Sequence, residues 1–125
     1  MRILIADDDE AIRSSIEKIL TQGEGNVIDL ATDGQQALDK AKNLKYDLIL
    51  LDLDMPKMNG YQVLEDVRKV FPDVPVVFIT ATGETQKVMK SIAQYRLNGF
   101  IEKPFTPEQV VDIVATATRS QKKEG

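Results

Sequence analysis

Two apolar runs in this sequence end in acid: "LIADDDE" closes on Asp7, Asp8, Asp9 and Glu10, and "LLDLDMPKMNG" carries Asp52 and Asp54 into a turn of Pro56 and Gly60. Two hydroxyls, Thr80 and Thr82, follow a third run in "FITATG", and Lys103 follows a fourth in "FIEKPF". A carboxylate at the end of a buried strand must stay solvated, be paired or bind a cation, because burying it alone is too costly. The chain has no histidine and no cysteine. Ser-His-Asp and Cys-His catalysis, histidine metal ligation, disulfides and thiol chemistry are therefore excluded.

If the strands ending at Asp7 and Asp52 are neighbours, Asp7, Asp8 and Asp52 converge. Like charges about 4 Å apart repel by roughly 4 kcal/mol per pair at an effective dielectric near 20. A hard divalent cation offsets this with oxygen ligands alone, and Mg²⁺ suits a site of one or two carboxylates, a backbone carbonyl and waters. A carboxylate beside such a cation can attack phosphorus and form an aspartyl phosphate. The metal neutralises charge on the moving phosphoryl group, and an ammonium such as Lys103 assists. Thr80 could donate a hydrogen bond to a phosphoryl oxygen. Plainer readings stand beside these: Asp8 or Asp9 as the cap of a helix over 9–21, Asp54 as a loop acid, Lys103 as a solvated strand end.

The elements that must position these groups are legible in the apolar pattern. "RILIA" (2–6), "DLILLD" (47–52) and "PVVFIT" (75–80) are nearly continuous in Ile, Leu, Val and Phe. Strands covered on both faces read this way. Between them lie helical spacings: Ile12, Ile16, Ile19 and Leu20; Ala37, Leu38, Ala41 and Leu44; Val63, Leu64, Val67, Val70 and Phe71. Two weaker strands, 26–31 and 99–102, and helices near 84–95 and 106–120 complete the count. Asp33 with Gln36 and Thr106 with Gln109 have capping-box spacing. Five βα units in a row predict an α/β fold, a parallel sheet with helices on both faces and all carboxyl strand ends on one edge. Ligands bind at that edge in open α/β sheets.

The chain has 125 residues, 42% of them hydrophobic and 29% charged, which predicts one domain over 1–120 followed by a polar tail over 121–125. The net charge of −4 argues against direct contact with nucleic acid. No apolar stretch is long enough to span a bilayer, and Met1 leads into no signal-peptide pattern, so a cytoplasmic location is expected.

"LIADDDE", "LLDLDMPKMNG", "FITA" and "IEKPF", in this order and spacing, resemble the receiver domain of two-component response regulators over essentially the whole chain. The resemblance implies the flavodoxin-like (βα)5 fold with strand order 2-1-3-4-5. It implies Asp52 as both phospho-acceptor and Mg²⁺ ligand, Asp7 and Asp8 as further Mg²⁺ ligands with Asp8 direct, and the Asp54 backbone carbonyl as another. Thr80 resembles the switch hydroxyl, Lys103 the phosphate-binding lysine, and Phe100 the aromatic that changes rotamer. Phe100 also reads as a core aromatic on a short strand. The implied donor is a phosphohistidine on a sensor histidine kinase or histidine phosphotransfer protein, and the implied readout a downstream protein or an output domain. With no segment to read DNA after residue 120, the chain is expected to be a stand-alone receiver or one piece of a longer regulator.

Departures from the family pattern lie at Arg96 and Leu97, where receivers usually carry a small pair, and at Asp54 and Thr82, which flank the phosphoryl group. Other readings fit less well. "DLD" also resembles the Asp-x-Asp motif of haloacid-dehalogenase-like phosphatases, but Pro56 stands where that family has threonine or valine. A degenerate receiver, binding partners without phosphorylation, keeps the fold alone. The glycines of "GEGNV" precede a strand and no Gly-Lys-Ser/Thr follows, so a nucleotide loop is not indicated. Acids after the first strand would repel the phosphate of FMN.

Overall fold

A computed structural model describes the backbone of residues 1–123 and the side chains of residues 1–119. Strands and helices alternate: β1 (Arg2–Ala6), α1 (Glu10–Thr21), β2 (Val27–Ala31), α2 (Gly34–Asn43), β3 (Leu48–Asp52), α3 (Gly60–Val70), β4 (Val76–Thr80), α4 (Thr85–Tyr95), β5 (Gly99–Glu102) and α5 (Pro107–Lys123). The strands form one parallel sheet in the order β2-β1-β3-β4-β5. This is the expected flavodoxin-like (βα)5 arrangement, with the strand order 2-1-3-4-5.

Successive side chains of a strand point to opposite faces, and that parity sorts the core into two layers. Ile3, Ile5, Leu48, Leu50, Val77, Ile79 and Ile101 pack under Ile16 and Leu20 of α1 and Val110, Val114 and Ala117 of α5. Leu4, Ala6, Ile49, Leu51, Val76 and Phe78 pack under Ala37, Leu38 and Ala41 of α2, Val63, Leu64 and Val67 of α3, and Val88 of α4. Every residue of β3 and β4 is buried, which is why these runs are apolar without alternation. β2 is an edge strand, and its Val27 is 53% exposed.

Caps decide where the helices begin. The Asp9 carboxylate accepts from the Ala11 N–H and opens α1, so Asp9 is a cap, as its plainer reading had it. Thr106 and Gln109 exchange both bonds of a capping box. Asp33 accepts from the Gln36 N–H, but the Gln36 side chain accepts from Thr32 rather than Asp33, so that box is only half formed. A further box, Asn59 with Gln62, opens α3 where the sequence had suggested only a turn. The α4 start at Glu84 has no side-chain cap. Its end at Arg96 is left-handed, with φ 54°, and the Arg96 carbonyl accepts from Arg68 at 2.9 Å. Leu97 is buried behind that turn. α5 continues to Lys123, past the end expected at 120, so 121–123 of the expected tail are helical and 124 and 125 lie outside the described residues.

Candidate functional site

Register brings the acids together. Ala6 pairs with Leu51, so the residues that follow, Asp7 and Asp52, leave the sheet side by side. Asp52 pairs with Ile79 and Thr80 with Glu102, and the Lys103 N–H donates to the Thr80 carbonyl at 2.8 Å. Asp7, Asp52, Thr80 and Lys103 thus meet at one edge because four strands end there together.

The geometry is close. Carboxylate oxygens of Asp7, Asp8 and Asp52 all lie within 4.8 Å of one another. Asp7 is fully buried and Asp52 nearly so, while Asp8 is exposed. Lys103 Nζ stands 3.2 Å from Asp7 Oδ2 and 3.8 Å from Asp52 Oδ2. Asp7 Oδ1 accepts from the Asp9 N–H at 2.9 Å, whereas its buried Oδ2 has no hydrogen-bond partner despite the nearby ammonium. The Asp54 N–H reaches Asp52 Oδ1 at 3.3 Å, and the Asp54 residue itself is exposed.

Burial raises the Asp52 carboxyl first, and the neighbouring Asp7 carboxylate raises it further. Lys103 and the Asp54 N–H counter only in part, and the group is pushed up to about 7. An acid crowded by acid wants a cation. The donor set is all oxygen, three carboxylates converge, and one buried oxygen lacks a hydrogen-bond donor, so the residues present fit a hard divalent ion such as Mg²⁺.

Thr80 is the last residue of β4, Thr82 follows in the turn, and Phe100 lies within β5, two residues before its end at Glu102. Thr80 is 1% exposed and makes only a long hydrogen bond, 3.4 Å, to the Ala81 carbonyl. The Thr82 hydroxyl donates to the Lys103 carbonyl, and Thr85 donates to the Glu102 carboxylate, tying the turn after β4 to the end of β5. Phe100 is half-buried, packs against the layer under α2 to α4, and borders a cleft of about 380 Å³ with Ile113 and Pro104. The Lys103-Pro104 bond is cis.

Residues the sequence reading passed over also support the site. Arg13 Nη1 donates to the Asp7 carbonyl at 2.8 Å; its signal was a cation one turn into the helix that follows the acids. The loop over 55–59 leans on the start of α2: the Pro56 carbonyl accepts from Gly34 at 3.3 Å and from Met58 at 2.8 Å. Lys57 adopts φ 70° and its ammonium lies 3.5 Å from Asp33. Gly60 begins α3 so close to β3 that a Cβ there would stand 2.8 Å from the Asp52 carbonyl oxygen. Only glycine lets α3 start there.

Among the described residues no helix is long and apolar enough to cross a membrane. Comparison with known proteins agrees with the fold. The response regulator receiver domain family matches residues 3–115. The chain is similar to chemotaxis protein CheY of Thermotoga maritima, 34% identical over 111 residues, covering 89% of this chain and 92% of that protein. It is similar to transcriptional regulatory protein DltR of Streptococcus agalactiae, 32% identical over 119 residues, but spans only 52% of that protein's length. Among solved structures, a CheY-like receiver domain protein from Methanospirillum hungatei superposes with a TM-score of 0.89 at 30% identity, covering 99% and 98% of the two chains. NtrX from Brucella abortus gives 0.91 at 28% identity, with 98% of this chain on 28% of that one. The chain belongs to the response regulator receiver domain family of two-component systems.

Proposed function

We propose that this receiver, over residues 1–120, accepts a phosphoryl group on Asp52 in a Mg²⁺-dependent reaction and signals through a change in its surface. The observation that carries this reading is the convergence of Asp7, Asp8 and Asp52 with Lys103 ion-paired to two of them. The donor is a phosphohistidine of a sensor histidine kinase or histidine phosphotransfer protein. An Asp52 carboxylate oxygen attacks phosphorus, the P–N bond breaks, and its electron pair stays on the imidazole, which takes up a proton.

Asp7, Asp8 and Asp52 would hold the cation, Asp8 directly, together with the Asp54 backbone carbonyl. When bound, Mg²⁺ neutralises charge on the phosphoryl oxygens. Lys103 exchanges its pairing with the acids for a phosphoryl oxygen. Thr80, whose hydroxyl is held only by the long bond to Ala81, donates to another. Phe100 follows in the space Thr80 vacates, and phosphorylation biases an equilibrium between two surface conformations. The protein works in the cytoplasm and passes the signal to a downstream protein or an output domain, without contacting nucleic acid through this domain. It is a signalling phospho-acceptor whose only catalysis is its own phosphorylation and dephosphorylation.

Intact mass after incubation with acetyl phosphate tests this. One phosphoryl adduct that needs Mg²⁺ and is lost in Asp52→Asn or with EDTA is expected. Steady phosphate release with no adduct would favour an Asp-x-Asp phosphatase. Neither adduct nor release, with the cognate kinase also failing, would leave a phosphorylation-independent interaction module.

A further inference from the structure

The 55–59 loop follows Asp54 and packs against the start of α2. The Gly34 N–H, in the first turn of α2, donates to the Pro56 carbonyl at 3.3 Å. A Cβ on Gly34 would lie 1.9 Å from the Met58 carbonyl oxygen and 2.6 Å from the Met58 carbonyl carbon. Those are backbone atoms, so no side-chain rotation relieves the overlap and the spacing between the loop and the start of α2 would have to change. Asp33, the residue that caps α2, also faces Lys57 at 3.5 Å, and Lys57 holds the left-handed turn at the loop's crest.

The loop is pinned at its other end as well. Gly60 donates to the Leu53 carbonyl at 3.0 Å and abuts the Asp52 carbonyl, so the segment between 53 and 60 cannot slide toward α3. Displacement forced at Met58 therefore passes back along Lys57 and Pro56 to Asp54.

We propose that the first turn of α2 is a positioning element of the cation site: Gly34, by having no side chain, and Asp33, through Lys57, seat the 55–59 loop and thereby set the Asp54 carbonyl for a divalent ion. This rests on the reading of Asp7, Asp8, Asp52 and Asp54 as that site. Gly34 is a positioning residue, acting through the loop. Supporting groups of this kind typically govern metal affinity by about 10- to 100-fold.

The test is calorimetric titration of Mg²⁺ alone into metal-free wild type, Gly34→Ala, Asp8→Ala and a control, Gly23→Ala. Gly23 lies past the far end of α1, where an added Cβ meets only the Asn26 side chain closely, at 2.8 Å. Gly34→Ala is expected to bind Mg²⁺ at least about tenfold more weakly with an unchanged far-UV spectrum. Its acetyl phosphate labelling should recover at saturating Mg²⁺, which a collapsed fold would not do, and Gly23→Ala should bind as wild type. A folded Gly34→Ala with wild-type affinity overturns the inference while loss of binding in Asp8→Ala keeps the site reading intact. Absence of Mg²⁺ binding by the wild type would overturn both. If Gly34→Ala does not fold, Lys57→Ala decides, because its side chain is 68% exposed and removing it leaves the core untouched. Two- to fourfold weaker binding supports the inference, and unchanged affinity overturns it.

Discussion

The ammonium of Lys103 stands nearer to Asp7, at 3.2 Å, than to the proposed acceptor Asp52, at 3.8 Å. It is the counterion that keeps two buried carboxylates side by side. Replacing Lys103 with Ala leaves both acids facing each other, so the metal-free variant should lose about 2 kcal/mol of stability at pH 7, less than a fully buried pair because the Lys103 side chain is 25% exposed. Urea denaturation in EDTA measures this. The variant should also label poorly with acetyl phosphate or fail to shift its surface once labelled, and a fully normal response in both respects would remove Lys103 from its proposed role.

Asp52 carries a pH dependence of defined sign. Its folded-state pKa lies above the unfolded value, near 7, because burial and Asp7 outweigh Lys103 and the Asp54 N–H. A carboxylate oxygen of Asp8 also lies within 4.8 Å of one on Asp52. Between about pH 4 and 7 the native protein holds a proton that the unfolded chain releases, so the metal-free protein loses stability as pH rises through that window. Asp52→Asn should abolish this slope and be more stable than wild type at pH 7 by about 2–4 kcal/mol. Thermal melts in EDTA from pH 4 to 8 check both statements, and added Mg²⁺ should flatten the wild-type slope.

Arg96 occupies a left-handed position that favours glycine. Its guanidinium also lies close enough to Arg68 to lower the latter's pKa, after burial has done most of the lowering. Arg96→Gly removes the strain and the repulsion, while the backbone carbonyl that accepts from Arg68 remains. Stability should rise by about 0.5–1 kcal/mol in chemical denaturation.

Asn59 is exposed yet opens α3 through a complete capping box with Gln62. Asn59→Ala should cost about 1 kcal/mol, and Asn59→Asp much less, since aspartate caps equally well. A double-mutant cycle with Gln62→Ala isolates the reciprocal bond, and a coupling indistinguishable from zero would contradict the box.

The sequence disclosed the elements better than their arrangement. β1, β3 and β4 were plain because strands sealed on both faces carry apolar residues on both, and β5 matched its expected span over 99–102. Strand order was not in the periodicity; it came with the family resemblance, since the same five units could wind in another order. The acids, Thr80 and Lys103 were visible because each ends a run, which puts it on the carboxyl edge whatever the order. Arg13, Gly34 and Lys57 were not, because their relation to the site exists only after helices and loops have packed. The box at Asn59 was hidden within a turn, and the end of α5 came late because polar residues mark an exposed helix as readily as a tail.

The parity that divides the core also divides the end of the sheet. Asp52 shares the parity of Leu48 and Leu50, whose layer lies under α1 and α5, while Thr80 and Glu102 share that of Phe78 and Phe100, toward α4. In the proposed function, a phosphoryl group on Asp52 would start on one side of the sheet, and Thr80 and Phe100 belong to the other. Neighbouring strands offer only backbone between those sides, except at the rim, where a side chain can lean across. Thr80, the last residue of β4, stands at that rim, so in the proposed switch the sheet would be a partition and Thr80 its doorway.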